Sequence, residues 1–437
     1  MKPTDALPYP SDWRSETIGK QIEIKRGISW SKEQEHIIQR DDTVPVIRIS
    51  NVQERLELDD ILHLSGLNPF AVEKKRVSAG WSILVGSNGN RRRIGNAVFV
   101  EENADFVFAS FLIAARPKVE SGINPKYFYR WLTSEPIQAN ISATSEGSTG
   151  LSNLSHSFFR SMSIGIPSLD EQAAIARILD AVDTAIERTR EAIARAREVK
   201  RALIQQVFSH GTKGEKRKKT RIGYIPESWE VVPVESVALA FEYGLSVPMQ
   251  LKGDMPILRM GNIQHGEILL EGLKYVSLPE DVMRPYIARR GDVLFNRTNS
   301  QEHVGKVGIY RSDVPSVFAS YLIRVVPDPA LINNYFLGHL LNSYDCQCRI
   351  KRYATPGVQQ VNINVTNLGK VLIPLPVGEA GLKEQEKIAE ILEQADECIR
   401  SRQPVLDRQM TLKKSLMHDL LSGSVRVGAV KQLALFK

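Results

Sequence analysis

Pro45-Val46-Ile47-Arg48-Ile49-Ser50-Asn51-Val52-Gln53 returns 211 residues later as Pro256-Ile257-Leu258-Arg259-Met260-Gly261-Asn262-Ile263-Gln264. Working outward, Pro10-Ser11-Asp12-Trp13 has its echo in Pro226-Glu227-Ser228-Trp229, at an offset of 216. Val107-Phe108-Ala109-Ser110-Phe111-Leu112-Ile113 matches Val317-Phe318-Ala319-Ser320-Tyr321-Leu322-Ile323, at 210. Glu171-Gln172 and Ile178-Leu179 match Glu384-Gln385 and Ile391-Leu392, at 213. The order is kept, and the small drift marks loop insertions. A period this long is no short-repeat solenoid. It is one unit present twice, with an approximate twofold inside one chain. Such a chain suits a ligand with two related halves, and duplex DNA is the commonest.

At 437 residues the chain has length for two or three domains with cores of their own. A net charge of +7 and a pI near 9.1 favour a polyanionic partner through counterion release. Three cysteines fit a reducing cytoplasm, and a cytoplasmic location is expected. Cys346-Gln347-Cys348 has no second Cys or His pair at ligand spacing, so no metal is expected. Met1-Lys2-Pro3-Thr4-Asp5 leads into no apolar run, and no stretch is long enough to cross a bilayer, so no membrane partner is expected.

Each copy divides into a globular and a helical part. The expected division is 1–167 globular, 168–220 a long helix plus a basic linker, 221–377 globular, 378–425 a second long helix and 426–437 a tail. Pro45 to Ser50 alternates, with Val46, Arg48 and Ser50 on one face and Ile47 and Ile49 on the other. That predicts a half-buried strand with a polar side. Trp81–Val85, Ala97–Val100 and Phe106–Ala114 read as strands, and Tyr127–Leu132 as a short helix. A mixed α/β (α+β) domain is expected in each copy.

Gln172 to Phe208 holds no Pro or Gly. Ile175, Val182, Thr189, Ala196 and Leu203 recur at seven, joined by Leu179, Ile186, Ile193 and Val207. This is a heptad seam. The second copy gives Ile388, Ala395, Arg402, Gln409 and Leu416 with Leu392, Ile399, Leu406 and Leu420, and Pro404 predicts a kink or break. The simplest arrangement is an antiparallel coiled-coil pair, about 36 residues and about 54 Å long, with the globular domains at its opposite ends. Lys213-Gly214-Glu215-Lys216-Arg217-Lys218-Lys219 reads either as a solvated linker or as a strap touching phosphates.

Catalytic signatures are missing. The chain contains no Walker loop and no GxGxxG after a strand. Asn68-Pro69-Phe70 lacks the second Pro of an amino-methyltransferase motif and reads as a turn. Nothing assembles a nucleophile, a base and an oxyanion donor, so a binder rather than an enzyme is expected.

Two polar loops hold equivalent places. Gly86-Ser87-Asn88-Gly89-Asn90-Arg91-Arg92-Arg93 precedes Ile94-Gly95; Asn296-Arg297-Thr298-Asn299-Ser300-Gln301-Glu302-His303 precedes Val304-Gly305. Arg suits the paired acceptors of guanine, Asn and Gln suit adenine, and Ser and Thr anchor phosphates. Unlike loops on like frames are what reading two half-sites requires. The candidate contacts are Asn88, Asn90, Arg91, Arg92 and Arg93 in the first copy, and Arg297, Thr298, Asn299, Gln301 and His303 in the second. Arg48 with Asn51, and Arg259 with Asn262, either touch DNA or brace the loop. Ser148, Thr149, Gln359, Gln360 and Asn362 are further candidates.

In this order, and twice over, the pattern resembles the specificity subunits of Type I restriction–modification systems. Its marks are Pro-x-x-Trp at Pro10 and Pro226, Arg-x-x-Asn at Arg48 and Arg259, Gly291-Asp292-Val293-Leu294, the Phe-Ala-Ser stretches, and Glu-Gln opening each long helix. Gly80-Trp81-Ser82 departs from the Gly-Asp of the second copy. The resemblance implies two target-recognition domains, each reading half of a split double-stranded DNA sequence. The helices would set the spacer and dock two methyltransferase (modification) subunits. Restriction subunits would join in the full complex. No cofactor would be bound by this chain; partners would use S-adenosylmethionine, and ATP with Mg2+ for restriction. The competing expectation is a protein-interaction scaffold with a duplicated docking surface, and salt-dependent binding to one split sequence separates the two.

Overall fold

The computed structural model describes residues 9–103, 105–145, 147, 150–357 and 360–430. The chain forms two compact units, Met1–Arg190 with Val405–Lys437, and Glu191–Pro404. Each unit thus carries one globular part and segments from both helical parts.

The two globular parts repeat one architecture. In the first, an antiparallel sheet has the order Ile22–Arg26, Leu112–Pro117, Ser82–Val85, Ala97–Phe99. In the second the order is Ala238–Tyr243, Leu322–Pro327, Val293–Asn296, Val307–Ile309, extended by Glu267–Ile268 and Ile263–Gln264. A smaller sheet also recurs. Val44–Ile47 pairs in parallel with Val107–Phe108, and Met255–Leu258 with Val317–Phe318. The strands Arg14–Thr17 and Ser163–Ile166 close the first globular part; Trp229–Pro233 and Leu372–Pro376 close the second.

The alternation read from Pro45 to Ser50 stops early. The strand ends at Ile47, and Ile49–Asn51 is a 3-10 turn. Val46 and Ile47 are both fully buried, because each side of the strand meets a different cluster: Val46 packs with Leu62, Leu64, Val72 and Val107, and Ile47 with the main core. A strand covered on both sides has no polar face. Phe106–Ala114 likewise holds two strands, with a turn at Ser110 and Phe111 between them. Asn68 turns out to cap the helix Pro69–Lys75, its Oδ1 accepting from the Phe70 and Ala71 amides.

Five helices position the rest: α1 Pro125–Leu132, α2 Leu169–His210, α3 Asn334–Asn342, α4 Gly378–Arg400 and α5 Gln403–Ser422. The second long helix is therefore broken at Ser401 and Arg402, and Pro404 sits in the first turn of α5, where a missing N–H costs nothing. Within the first unit, Ile175 and Leu179 of α2 share a core with Met417, Leu420 and Leu421 of α5. Asp183 meets Lys413 at 2.7 Å, and Glu171 meets Arg426 at 2.7 Å, so the two segments run antiparallel. Within the second unit, Val207 and Phe208 of α2 share a core with Ile388, Ala389 and Leu392 of α4, and Lys200 pairs with Asp396, again antiparallel.

Lys200 and Lys413 fill the gaps that the series Leu179, Ile186, Ile193, Val207 and Leu392, Ile399, Leu406, Leu420 leave at one heptad step. Lys200 is 8% exposed and ion-paired. A charged seam residue with one partner specifies register at some cost in stability.

Each globular part is keyed to its helices by the same contacts. Gln172 accepts from the Asn124 amide at 2.7 Å and donates to Gly122 and Pro167. Gln385 accepts from Asn333 at 2.8 Å and donates to Leu331 and Pro376. Both are fully buried, which is why Glu-Gln recurs. Gly211 ends α2 at φ +64° against Pro226 and Trp229, and Gly423 ends α5 at φ +75° against Pro10 and Trp13. Left-handed C-terminal glycines on top of the Pro-x-x-Trp turns leave no room for a side chain. Arg217–Thr220 pairs with Gly223–Pro226, so the basic segment after α2 is a hairpin rather than a loose linker, with Lys213 bound to Glu384 at 2.9 Å. Among the described residues no helix is long and apolar enough to cross a membrane.

Candidate nucleic-acid interface

The two polar loops stand on one frame. Gly86 and Ser87 donate their amides to the Phe111 carbonyl; the Arg297 amide donates to the Tyr321 carbonyl at 3.0 Å. Ser87–Asn88 then pairs with Ser152–Asn153, and Thr298–Asn299 with Val361–Asn362, which pairs further with Thr355–Pro356. Each loop closes on a glycine, Gly95 at φ +89° and Gly305 at φ +86°, where a Cβ would strike Ile141 or Ile350. On this shared frame the two loops differ in their side chains and by one residue in length.

Many candidate residues spend their polar atoms inside the frame. Asn51 is 2% exposed; its Oδ1 accepts from the Arg48 amide and its Nδ2 donates to the Glu57 and Asp60 carbonyls. Asn262 repeats this with Arg259, Leu269 and Glu271. Arg48 binds Asp60 at 3.0 Å, and Arg259 binds the Gly272 carbonyl at 3.0 Å. In the structure all four side chains make bracing bonds of this kind. Arg91 caps the end of the helix Glu135–Thr144 through the Ser142 and Ala143 carbonyls and the Ser145 hydroxyl. Arg93 donates to the Ile49 and Val52 carbonyls, tying the loop to the Arg48–Asn51 turn. Asn88 and Asn90 accept from amides two residues on. Arg297 lies 4.8 Å over the Tyr243 ring and donates to Asn362 at 3.2 Å, leaving its buried Nε unpartnered. Asn299 accepts from the Ser300 amide.

Arg92, Thr298, Gln301 and Gln360 have no side-chain hydrogen bond among the described residues; Arg92, Gln301 and Gln360 are exposed. His303 is half-exposed, 3.8 Å from Glu302. Ser148, Thr149 and Gln359 lie outside the described residues. The sequence reading missed two aromatic rings. Phe111 is 50% and Tyr321 37% exposed, at the turn that holds each loop. Their signal was the repeated Phe-Ala-Ser-aromatic itself, which a continuous strand had absorbed.

Charge is also built into the domain–helix junctions. Arg130 of α1 holds Asp180 and Asp183 of α2 at 2.5 Å each. Burial would raise the Asp183 carboxyl, but the Arg130 and Lys413 charges hold it below its usual range. His339 of α3 takes the place of Arg130, bonded to Glu393 at 2.8 Å and beside Asp396. Arg311 binds Glu267 at 3.1 Å and reaches Glu393 and Asp396. Burial keeps the His339 imidazole below its ordinary pKa. Burial would raise Glu393, but hydrogen bonds from Arg311 and His339 hold it far below the carboxylate range. His339, Glu393 and Asp396 bring metal-type ligand atoms within 4.8 Å of one another. Lys200 and Arg311 already neutralise these carboxylates, and the first unit uses Arg130 at the same place. The acid pair is built for cationic side chains. Cys346 is buried, its thiol pushed up to about 11 by burial, while Cys348 faces out, so the two do not converge.

Comparison with known proteins gives the family. The sequence model for the Type I restriction modification DNA specificity domain matches residues 10–195 and again 226–407. The chain is similar to the Type I restriction enzyme StySPI specificity subunit of Salmonella potsdam, 23% identical over 422 residues, covering 95% of this chain and 89% of that one. It is 24% identical over 307 residues to the EcoKI specificity subunit of Escherichia coli K12, covering 69% and 65%. Its fold matches the crystal structure of a Type I system S subunit from M. genitalium, with TM-score 0.61, 15% identity and coverage of 96% and 99%.

Proposed function

Since the chain belongs to the family of Type I restriction–modification DNA specificity subunits, we propose that its globular parts, 1–167 and 221–377, each read one half of a split duplex DNA sequence. The protein is the DNA-recognition component of such a system and not its catalyst. The observation that carries the reading is the pair of unlike loops anchored by an equivalent main-chain bond, Gly86 to Phe111 in one copy and Arg297 to Tyr321 in the other. The long helices set the spacing of the half-sites and offer two like surfaces to two methyltransferase subunits. Restriction subunits join that complex in the cytoplasm. S-adenosylmethionine, and ATP with Mg2+, serve the partners. The test is the methylated sequence in DNA from cells that carry this chain with its partners. A split sequence that vanishes when the gene is deleted is expected; methylation unchanged by deletion would refute the reading. Mass measurement of the reconstituted complex should give one such chain to two methyltransferase subunits, and a saturated one-to-one complex would contradict that.

Among the loop residues, the free side chains Arg92, Thr298, Gln301 and Gln360 are assigned to DNA, with the rings of Phe111 and Tyr321 beside them. His303 joins them at the loop end. The engaged residues hold these in position. Arg92→Ala is expected to cost about 1–3 kcal/mol if it reads a base, and to relax one position of the site. Arg91→Ala and Arg93→Ala should instead weaken all sequences alike and lower the melting temperature, because each removes a loop anchor. Isotherms on matched and singly mismatched duplexes separate the cases. Wild-type binding by Arg92→Ala would take that residue out of the interface.

A further inference from the structure

Lys25, Arg26, Lys74, Lys75, His156 and Arg160 line one groove of about 510 Å³ in the first unit. Its carboxylate neighbours are already engaged: Glu23 with Arg116 at 3.3 Å and Glu73 with Arg76 at 3.7 Å. Lys25 and Lys75 are held by the Arg76 and Arg26 carbonyls, at 2.8 and 2.7 Å. Arg26, Lys74 and Arg160 are exposed and have no ion-pair partner among the described residues. Burial first, then the neighbouring charges of Arg26 and Arg160, lower the His156 pKa.

The repeat supplies an internal control. Strand pairing sets Lys25 opposite Ala114 and Arg26 opposite Ile113; in the second copy Glu242 pairs with Arg324 and Tyr243 with Ile323. By the same register Arg160 corresponds to Gly369, since Thr17 pairs with Ser163 and Pro233 with Leu372. The second copy fills this place with an internal Glu242–Arg324 ion pair. The fold therefore does not require the cations. Their position is also informative. Tyr243, the counterpart of Arg26, lies beneath Arg297 of the second polar loop, and Arg297 corresponds to Gly86, which opens the first. Arg26 thus ends its strand at the base of the first polar loop.

We propose that this groove seats the sugar–phosphate backbone of DNA next to the sequence-reading loop of the first copy, a polyanion site that the second copy lacks. The proposal rests on the reading of the chain as a DNA-recognition subunit. Neutralised phosphates release counterions, so each lost contact lowers the salt exponent of binding by about 0.9.

The test is the triple variant Arg26→Ala, Lys74→Ala, Arg160→Ala in the full chain, purified with its methyltransferase subunits. Binding is measured from 50 to 200 mM salt on a duplex carrying the methylated sequence and on a scrambled duplex. Loss of two or three contacts should lower the salt exponent by about 1.8 to 2.7, so the affinity gap to the parent closes by about 12- to 42-fold over that range. The loss should be equal on both duplexes, and Arg26→Lys, Lys74→Arg, Arg160→Lys should keep the parental exponent. A parental exponent in the alanine variant overturns the groove. So does loss of methyltransferase assembly at unchanged exponent, which would make the groove a seat for an acidic protein surface. If the parent itself binds both duplexes equally and without salt dependence, the DNA-recognition reading fails rather than the groove.

Discussion

Exchanging residues 224–375 for the matching segment of another family member is expected to change one half of the methylated sequence and leave the other as it was. Each mismatched base pair in a specific site costs about 1–3 kcal/mol, so the original sequence should lose roughly tenfold or more per altered position. The reason is structural modularity within the second unit. The segment brings its own sheet, its own polar loop and the Tyr321 turn that holds that loop. It meets the helices through a short set of bonds: Trp229 to Glu384, Leu331 and Asn333 to Gln385, His339 to Glu393, Arg311 to Glu393 and Asp396, and Glu267 to Arg400. A donor segment lacking those partners should fold poorly, so the exchange should either keep them or carry α4 along. Mapping methylation in cells with the chimera decides the matter. Two altered halves, or an unaltered sequence from a folded chimera, would refute independent reading.

The duplication made the architecture legible, because buried positions must repeat when a fold repeats. Gln172 and Gln385 were visible as a repeated pair long before their buried bonds explained them. Pro404 announced the break between α4 and α5 for the reason that prolines always do. The candidate site was legible only in outline. The loops stand out, but an arginine that caps a helix and an arginine whose side chain is free share one letter, so sequence alone does not tell Arg91 from Arg92. Arg48 and Arg259 looked like a polar strand face because alternation cannot register where a strand stops. The structure ends both strands one residue before the arginine. The basic groove joins residues from three separated stretches, Ile24–Arg26, Lys74–Lys75 and His156–Arg160, and no local pattern links them. Lys200 and Lys413 did leave a trace: each stands where the heptad series skips a step.

Arg311→Met should be the most damaging single substitution in the second unit. The guanidinium side chain is 11% exposed and serves Glu267, Glu393 and Asp396. Methionine keeps much of the volume and removes the charge. Stripping one partner from a buried ion pair costs about 3–5 kcal/mol, because the remaining charge stays desolvated. The lower end is expected here, since Lys200 still faces Asp396 and Arg400 still binds Glu267 at 3.0 Å. The exposed pair Arg195–Glu191 offers the contrast: Arg195→Ala should cost no more than about 0.5 kcal/mol. The sign of the pH dependence follows from Glu393. Its folded pKa is depressed, so its stabilisation is complete above its unfolded value and fades as pH falls through the folded one. Without Arg311 the Glu393 carboxyl takes up a proton at higher pH, and a protonated His339 would replace part of the lost charge. The gap between parent and variant should therefore be widest near pH 7 and narrow toward pH 5. Denaturant unfolding at both pH values, with hydrogen exchange read separately on α3 and α4 and on α1, measures it. A loss below about 1 kcal/mol at pH 7, or a gap that widens as pH falls, would mean that the carboxylates do not depend on Arg311.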